Sequence, residues 1–430
     1  MNNSTNSHFL LLQQQKFADI ALFRKVHYNK RMSLRAKPLA FLCVLFPLLF
    51  SCKTTPSVTE PEIPDVMQAE PEPETADNTL SLVLAGDIMA HEPNYMMKDF
   101  SMIWHDIEDV VRSGDLAFAN LEAPVAAELG FDTYPTFNME ESYPNAAIAA
   151  GFNVFSLANN HTNDKLLQGI QGTLRYFDKL EAGNEERERK IYACGIKLTA
   201  NAPLTYRIIE AKEWRILFVA VTELLNRPDS LAYIDYIRPN ADARAAFKKQ
   251  IAELREQSGC DFFVLSVHSS EEEYVARVSD ARRKWYRELL DSGVDIVWAN
   301  HPHVTRGWEL YGEEATGSVR KMILYGLGNT ISGQRSNPNF ANPAAARDDT
   351  GDGVLVSVAL DKDADGRPFI AAAIPTYITT YLDPQKNYII KKLDDDMIST
   401  FAEQGNKKQA DYFAARKKIT EKFAGTTLWE

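Results

Sequence analysis

The sequence predicts an α/β protein built around a mixed sheet. Three observations carry that expectation. Apolar runs of strand length alternate with longer helix-like segments between residues 79 and 379. Five of the runs end in a residue able to bind a metal ion or move a proton. The first eighty residues differ from the rest, which leaves about 350 residues for one large domain or two modest ones. In open α/β sheets ligands gather outside the carboxyl ends of the strands, so five such endings point to one site.

Taken in order, "TLSLVLA" (79–85) runs into Gly86-Asp87, and "DLAFANLE" (115–122) ends at Asn120 and Glu122. "FNVFSLA" (152–158) stops at Asn159-Asn160-His161. "WRILFVAV" (214–221) ends at Thr222-Glu223, "DFFVLSV" (261–267) at His268, and "VDIVWA" (294–299) at Asn300-His301-Pro302-His303. "KMILYGLGN" (321–329) closes on Gly328-Asn329, and "GVLVSVAL" (353–360) and "FIAAAIPTYIT" (369–379) are further strands. Helices are expected at 97–112, 165–180, 241–257 and 280–291, with an amphipathic surface helix in the charged tail at 394–424. The run "EAGNEERERK" (181–190) reads as a solvated insertion, and there is no internal repeat.

The amino-terminal segment reads as an address. Residues 31–52 are "RMSLRAKPLAFLCVLFPLLFSC", with Arg31, Arg35 and Lys37 before the twelve apolar residues Leu39–Phe50. That is too short to span a bilayer and suits a signal peptide. Its end, Leu49-Phe50-Ser51-Cys52, resembles a bacterial lipobox in which Cys52 is lipidated. An uncleaved signal anchor is the alternative. Either way the domain is expected outside the cytoplasm and tied to a membrane. Met32 is a conventional start for such a leader, so residues 1–31 are left out of the fold reasoning. The acid- and proline-rich residues 53–78 cannot bury enough surface to fold and read as a tether. The expected parts are therefore 1–52 (extension and signal), 53–78 (tether), 79–385 (the domain) and 386–430 (a helical tail).

The formal net charge of -12 argues against non-specific nucleic-acid binding. An anionic substrate would need a local metal ion or arginine. Of the four cysteines, Cys43 and Cys52 lie in the leader, while Cys194 and Cys260 stand singly beside apolar runs. No disulfide framework or zinc-type pair is present.

Aspartate, glutamate, asparagine and neutral imidazole form a ligand set suited to Mn²⁺, Zn²⁺ or Fe²⁺. Imidazoles one residue apart, as in His301-Pro302-His303, can face one centre when the turn bends. Two ions about 3.5–4 Å apart, bridged by a carboxylate, would activate water and neutralise a phosphate. A histidine near the leaving group can act as general acid. Each residue also has a plainer reading. Asp87 can be a turn or capping residue, Asn159-Asn160 a left-handed turn, His268 a satisfied core histidine, and Glu122, His301 and His303 ordinary loop residues.

Five blocks carry a family resemblance. "LAGDIMAH", "DLAFANLEAPV", "GFNVFSLANNHTND", "DIVWANHPHVTRGWELY" and "LYGLGNTIS" resemble, in order, the motifs of the CapA (PgsA) family of capsule and poly-γ-glutamate synthesis proteins, across roughly residues 80–335. The resemblance implies a metallo-dependent phosphatase-like fold, a four-layer sandwich of two mixed sheets flanked by helices. It also implies a place outside the cytoplasmic membrane. It sets Asp87, Glu122, Asn160, His268, His301 and His303 as ligands of one or two divalent ions, with His161 as general acid. Asn329, Arg306 and Glu272 (or Glu273) become candidate contacts to an anionic substrate. Three places differ from the family pattern. Met89 stands where phosphoesterases carry a histidine, Ala299-Asn300 precedes the closing histidines, and "HSSEEEY" is one residue longer than its counterpart.

Three functions are compatible with this reading. The first is an extracytoplasmic, lipid-anchored protein that makes, exports or anchors an anionic capsule polymer, with that polymer or its synthase complex as partner and metal-dependent hydrolysis as its chemistry. The second is a secreted metallophosphoesterase acting on nucleotides or phospholipids. The third is a non-catalytic polymer-binding subunit.

Overall fold

The computed structural model describes residues 78–313 and 316–429. The expectations for residues 1–77, the lipidation site Cys52 among them, lie outside that range. Among the described residues, fifteen strands are linked by hydrogen bonds, eleven of them along one path. They are β1 (Leu80–Ile88), β2 (Leu116–Leu121), β3 (Val154–Ser156), β4 (Tyr192–Cys194), β5 (Arg207–Ala211), β6 (Trp214–Thr222), β7 (Phe262–His268) and β8 (Ile296–Asn300). These are followed by β9 (Trp308–Gly312), β10 (Val319–Leu324), β11 (Asn329–Ile331), β12 (Asp352–Lys362), β13 (Pro368–Leu382), β14 (Tyr388–Lys392) and β15 (Thr426–Trp429). The helices are α1 (Glu92–Tyr95), α2 (Glu108–Ser113), α3 (Ser142–Ala150), α4 (Leu166–Ala182), α5 (Ala241–Ser258), α6 (Asp280–Asp291), α7 (Asp395–Glu403) and α8 (Lys407–Phe423).

The path divides into two mixed sheets. One runs β4-β3-β2-β1-β12-β13, the other β10-β8-β7-β6-β5, and they meet where β13 pairs with β10 through Ile370 and Val319. In each sheet the central strands are parallel, and every residue of β1, β2, β7 and β8 is buried. Such unbroken apolar runs mark strands covered on both faces. The inner faces stack on each other. Phe118 meets Phe218 and Trp298 at 5.4 and 6.0 Å between ring centroids, and the Trp298 indole donates to the Ala85 carbonyl at 2.9 Å. Outside the second sheet, Phe247, Ile251, Trp285 and Leu289 of α5 and α6 cover Leu217, Val219 and Leu265. Val111, Tyr143, Ala147, Ile170 and Phe177 of α2, α3 and α4 join the core of the first. The result is the expected α/β sandwich of four layers, here with its two sheets joined at one edge.

Local chemistry sets the helix ends. The Asn240 side chain caps α5 at Ala243 N (2.9 Å), the Ser279 side chain caps α6 at Arg282 N (3.1 Å), and Gly259 ends α5 at φ 57°. The helix expected at 97–112 is instead a 3₁₀ turn, Phe100–Ile103, followed by α2. The Asp99 side chain holds Ser101 N at 2.9 Å, and Trp104-His105-Asp106-Ile107 are weak helix formers. The strand expected at 321–329 is split. β10 pairs with β8 in one sheet and β11 with β1 in the other, and the chain crosses between them through Gly326 and Gly328. That crossing sets Asn329 level with Asp87. A Cβ on Gly86 would lie 1.9 Å from the Gly328 carbonyl oxygen, so only glycine lets β1 pass the crossing at this distance.

The tail is more than a surface helix. It adds β14 to β13 and β15 to β9, and α8 buries Tyr412, Phe413 and Arg416. Sequence reading also passed over α3, β4, β5 and β9. β4 has three residues, too few to show a period.

Candidate metal centre

Strand register assembles the site. Asp87 on β1 pairs laterally with Asn120 on β2 and Asn329 on β11, and His268 on β7 pairs with Asn300 on β8. The carboxyl ends of parallel strands from both sheets therefore meet at one edge of the sandwich. Glu122 follows β2 directly, Asn160 lies four residues past β3, and His301 and His303 follow β8. His301 has φ 93°, a left-handed backbone that a histidine adopts at a cost of about 1–3 kcal/mol. The bend brings both imidazoles of His301-Pro302-His303 into the pocket, where His301 lies 5.0 Å from His268 between ring centroids.

Two groups of three potential ligands result, each with its donor atoms within 4.8 Å of one another: Asp87, Glu122 and His303, and Glu122, His268 and His301. Glu122 belongs to both. Its Oε1 lies 3.8 Å from His268 Nε2 and 3.9 Å from His303 Nε2, and Asp87 Oδ2 lies 3.4 Å from His303 Nδ1. Asn160 Oδ1 sits 2.8 Å from His268 Nε2, a separation two donors sharing one ion would have, which adds a fourth donor to the second group. Asn120 braces the centre, its amide donating to Asp87 Oδ1 at 2.7 Å and reaching Glu122 Oε2 at 3.3 Å.

Three buried atoms of this centre, Asp87 Oδ2, Glu122 Oε1 and His301 Nδ1, have no hydrogen-bond partner. Buried polar atoms are normally satisfied, and an unpaired one costs about 1–3 kcal/mol. Unsatisfied carboxylate and imidazole atoms that converge are what a divalent cation requires. Electrostatics agree. Burial and the neighbouring Asp87 push the Glu122 carboxyl well above its usual range. Burial, with His301 and His303 nearby, holds His268 well below the usual imidazole value, and burial with His303 and His161 brings His301 down to about 3. Neutral imidazoles are the ligating form, and a doubly charged ion would relieve the repulsion between the two carboxylates. The residues therefore fit one or two divalent ions.

His161 stands beside the ligands. Its Nδ1 lies 2.7 Å from Asp164 Oδ2 and 3.2 Å from Asn226 Nδ2, and its ring meets Phe137 edge-on at 4.8 Å. Asp164 also accepts from Phe137 N at 2.7 Å. The carboxylate thus orients the imidazole.

The structure brings Asp87, Glu122, Asn160, His161, His268, His301 and His303 together. It places the expected substrate contacts differently. Asn329 is buried, with Oδ1 3.0 Å from His303 Nδ1, and so orients a candidate ligand. Arg306 is buried and occupied, paired with Glu271 and donating to the carbonyls of Val275 and Glu272 at 2.9 and 3.0 Å. The Glu272 residue is exposed, whereas Glu273 is half-buried and its charge acts on Glu122. Sequence reading missed Asn120, Asp164, Asn226 and Phe137 as parts of the site. Asp164, three residues after His161, was within reach of a local reading. Asn226 and Phe137 arrive only by folding.

With this geometry in hand, comparison with known proteins is direct. Residues 81–334 match the family described as "Bacterial capsule synthesis protein PGA_cap". The chain is 24% identical over 335 residues to the capsule biosynthesis protein CapA of Bacillus anthracis, covering 74% of this chain and 73% of that protein. It is 25% identical over 299 residues to the PGA biosynthesis protein CapA of Bacillus subtilis (strain 168), covering 68% of this chain and 70% of that protein. Among solved structures it is similar to the calcineurin-like phosphoesterase YfkN from Bacillus subtilis, at a TM-score of 0.39 and 11% identity, over 78% of this chain and 99% of that one. The family match covers more than half of the chain, so this protein belongs to the bacterial capsule synthesis protein (PGA_cap) family.

Proposed function

We propose that this protein acts in capsule synthesis outside the cytoplasm, held to the membrane through Cys52, and that it cleaves or transfers a bond of an anionic capsule polymer at a divalent-metal centre. The names of the similar proteins support the capsule role. Residues 31–52 support the anchored location. Among the described residues, no helix is long and apolar enough to cross a membrane. The observation that carries the chemistry is the convergence of Asp87 Oδ2, Glu122 Oε1 and His301 Nδ1, buried and without hydrogen-bond partners.

When bound, a Mn²⁺, Zn²⁺ or Fe²⁺ ion would supply Lewis-acid chemistry, acidifying water and neutralising developing negative charge. Asp87, Glu122 and His303 would hold one ion, and Glu122, Asn160, His268 and His301 the other. His161, oriented by Asp164, would deliver a proton to the departing atom. Asn226 and Phe137 hold that imidazole in place.

The test is metal content of the chain purified without chelator, beside an Asp87→Ala/His301→Ala double variant, followed by turnover of phosphoester and γ-glutamyl substrates. One or two equivalents of Mn, Zn or Fe, lost in a variant that still folds, support the proposal. A parent that takes up none of these ions overturns the metal chemistry and favours a polymer-binding subunit.

A further inference from the structure

The turn that carries Asn160 and His161 is joined to the end of β2 by a buried side chain that neither the ligands nor the acid account for. Asn159 is fully buried. Its amide nitrogen donates to the Leu121 carbonyl at 2.9 Å and reaches Asn120 Oδ1 at 3.4 Å. Its Oδ1 accepts from His161 N at 3.1 Å. The two main-chain partners fix the orientation of this amide, because a carbonyl only accepts and an N–H only donates. One side chain therefore connects the residue before Glu122, the carboxylate common to both ligand groups, with the backbone of His161. Asn120 extends the connection to the other carboxylate, donating to Asp87 Oδ1 at 2.7 Å.

The rest of the turn is held elsewhere. Thr162 Oγ1 accepts from Asn159 N at 2.8 Å and donates to the Leu157 carbonyl at 2.7 Å. The Asn163 side chain donates to the Arg227 and Asp229 carbonyls at 3.0 and 2.5 Å. Asn160 is tied to Asn226 twice, its carbonyl accepting from Asn226 N at 3.1 Å and its side-chain amide donating to Asn226 Oδ1 at 3.3 Å. The His161 ring is held at Nδ1 by Asp164 at 2.7 Å. None of these contacts reaches β2, so the spacing between the imidazole and the carboxylates falls to Asn159.

We propose that Asn159 is a positioning residue that sets His161 relative to the carboxylates of the metal centre, and so aligns proton delivery with the departing atom of the substrate. The inference rests on the proposed metal-dependent chemistry. In that step water supplies the oxygen that bonds to phosphorus or to a carbonyl carbon. The bond to the leaving oxygen or nitrogen breaks, and that atom takes its proton from His161 Nε2, Nδ1 being engaged by Asp164. A general acid works only within hydrogen-bond reach of the atom it protonates, and a small displacement of a reacting group costs rate steeply. Without Asn159 the ligands, the substrate and the imidazole are all present but out of register. The deficit falls on the step that needs the proton and not on binding.

The experiment compares the parent with Asn159→Ala and Asn159→Asp. The aspartate keeps an oxygen for His161 N and loses both donated bonds. The first readout is hydrogen exchange in the metal-free proteins. Asn159→Ala should speed exchange of the His161 amide about tenfold or more, and Asn159→Asp should restore most of the protection. The second is turnover at saturating Mn²⁺, with metal content measured on each variant. On an alkyl phosphoester or a γ-glutamyl amide, whose leaving group needs a proton, both variants should lower kcat about tenfold or more and move KM less than about threefold. On a nitrophenyl ester kcat should fall less than about threefold. In a His161→Asn background, Asn159→Ala should change kcat less than about twofold, which a general loss of structure would not spare. If Asn159→Ala does not fold, Asn159→Asp carries the kinetic test. The proposal is overturned if the losses are equal on the two substrates, if they track loss of bound metal, if they persist in the His161→Asn background, or if exchange and kcat both match the parent. A parent that turns over neither substrate overturns the metal-dependent reading and this inference with it. An active parent with unaffected variants overturns this inference alone.

Discussion

His303 Nδ1 lies 3.0 Å from Asn329 Oδ1. Both amide hydrogens of Asn329 are already used, donating to Gln334 Oε1 at 2.9 Å and to the Thr350 carbonyl at 2.8 Å. The Asn329 oxygen must therefore be the acceptor and His303 Nδ1 the donor, while Nε2 faces Glu122 Oε1 at 3.9 Å. Partners of this kind commonly contribute a factor of about 10–100 in metal affinity. Asn329→Ala should weaken metal binding by that order while circular dichroism shows a folded protein. Unchanged affinity in a competition titration would remove Asn329 from the centre.

His161 and Asp164 should separate binding from turnover. Neither is needed to hold an ion, so His161→Asn and Asp164→Asn should keep their metal content. His161→Asn should lower kcat by about 10²–10⁴ on a substrate whose leaving group needs a proton. A substrate with an acidic leaving group, such as a nitrophenyl ester, should be affected far less. Equal losses on both substrates would rule out proton delivery by His161.

The metal-free protein should lose stability on acidification. His301 and His91 are held near 3 and His268 well below its usual value, burial being the main cause in each. Below the ordinary imidazole value of 6.5 the unfolded chain takes up three protons that the fold refuses, so stability falls as pH drops through 6.5. Glu122 acts with the opposite sign. Its raised carboxyl keeps its proton above 4.5, where the unfolded chain has lost it, so its penalty eases as pH falls. Three imidazoles outweigh one carboxyl, leaving at most about 2.7 kcal/mol per pH unit between roughly pH 6 and 5. Melting curves of the chelated protein at pH 7, 6 and 5 should show a falling Tm, with a shallower slope in His301→Gln. A Tm that is flat or rises on acidification contradicts the pocket of neutral imidazoles.

The tail should be part of the domain's stability. Arg416 on α8 is buried, donating to Asp352 at 2.7 Å and to Asp349 at 2.8 Å, and Asp352 also pairs with Arg335 at 2.6 Å. Removing one partner of a buried ionic network leaves uncompensated charge, at a cost of about 3–5 kcal/mol. Arg416→Ala should lower the urea midpoint accordingly. A change below about 1 kcal/mol would return the tail to a surface role.

Much of this protein is legible without its structure. The alternation of apolar runs and helical segments reflects a local periodicity, which is why the fold class and most of the strands were predicted. The strand-end residues Asp87, Glu122, Asn160, His161, His268, His301 and His303 were legible because the chain delivers each at the end of an apolar run. What the tertiary structure alone decided is what touches what. Only the crossing through Gly328 sets Asn329 beside His303, only the packing of the 269–276 segment engages Arg306 where an anion contact was expected, and only the docking of α8 buries Arg416. Periodicity reports which face of an element is buried. It carries no information about which distant side chain will satisfy a buried polar group, because that pairing is settled by the register of strands far apart in sequence.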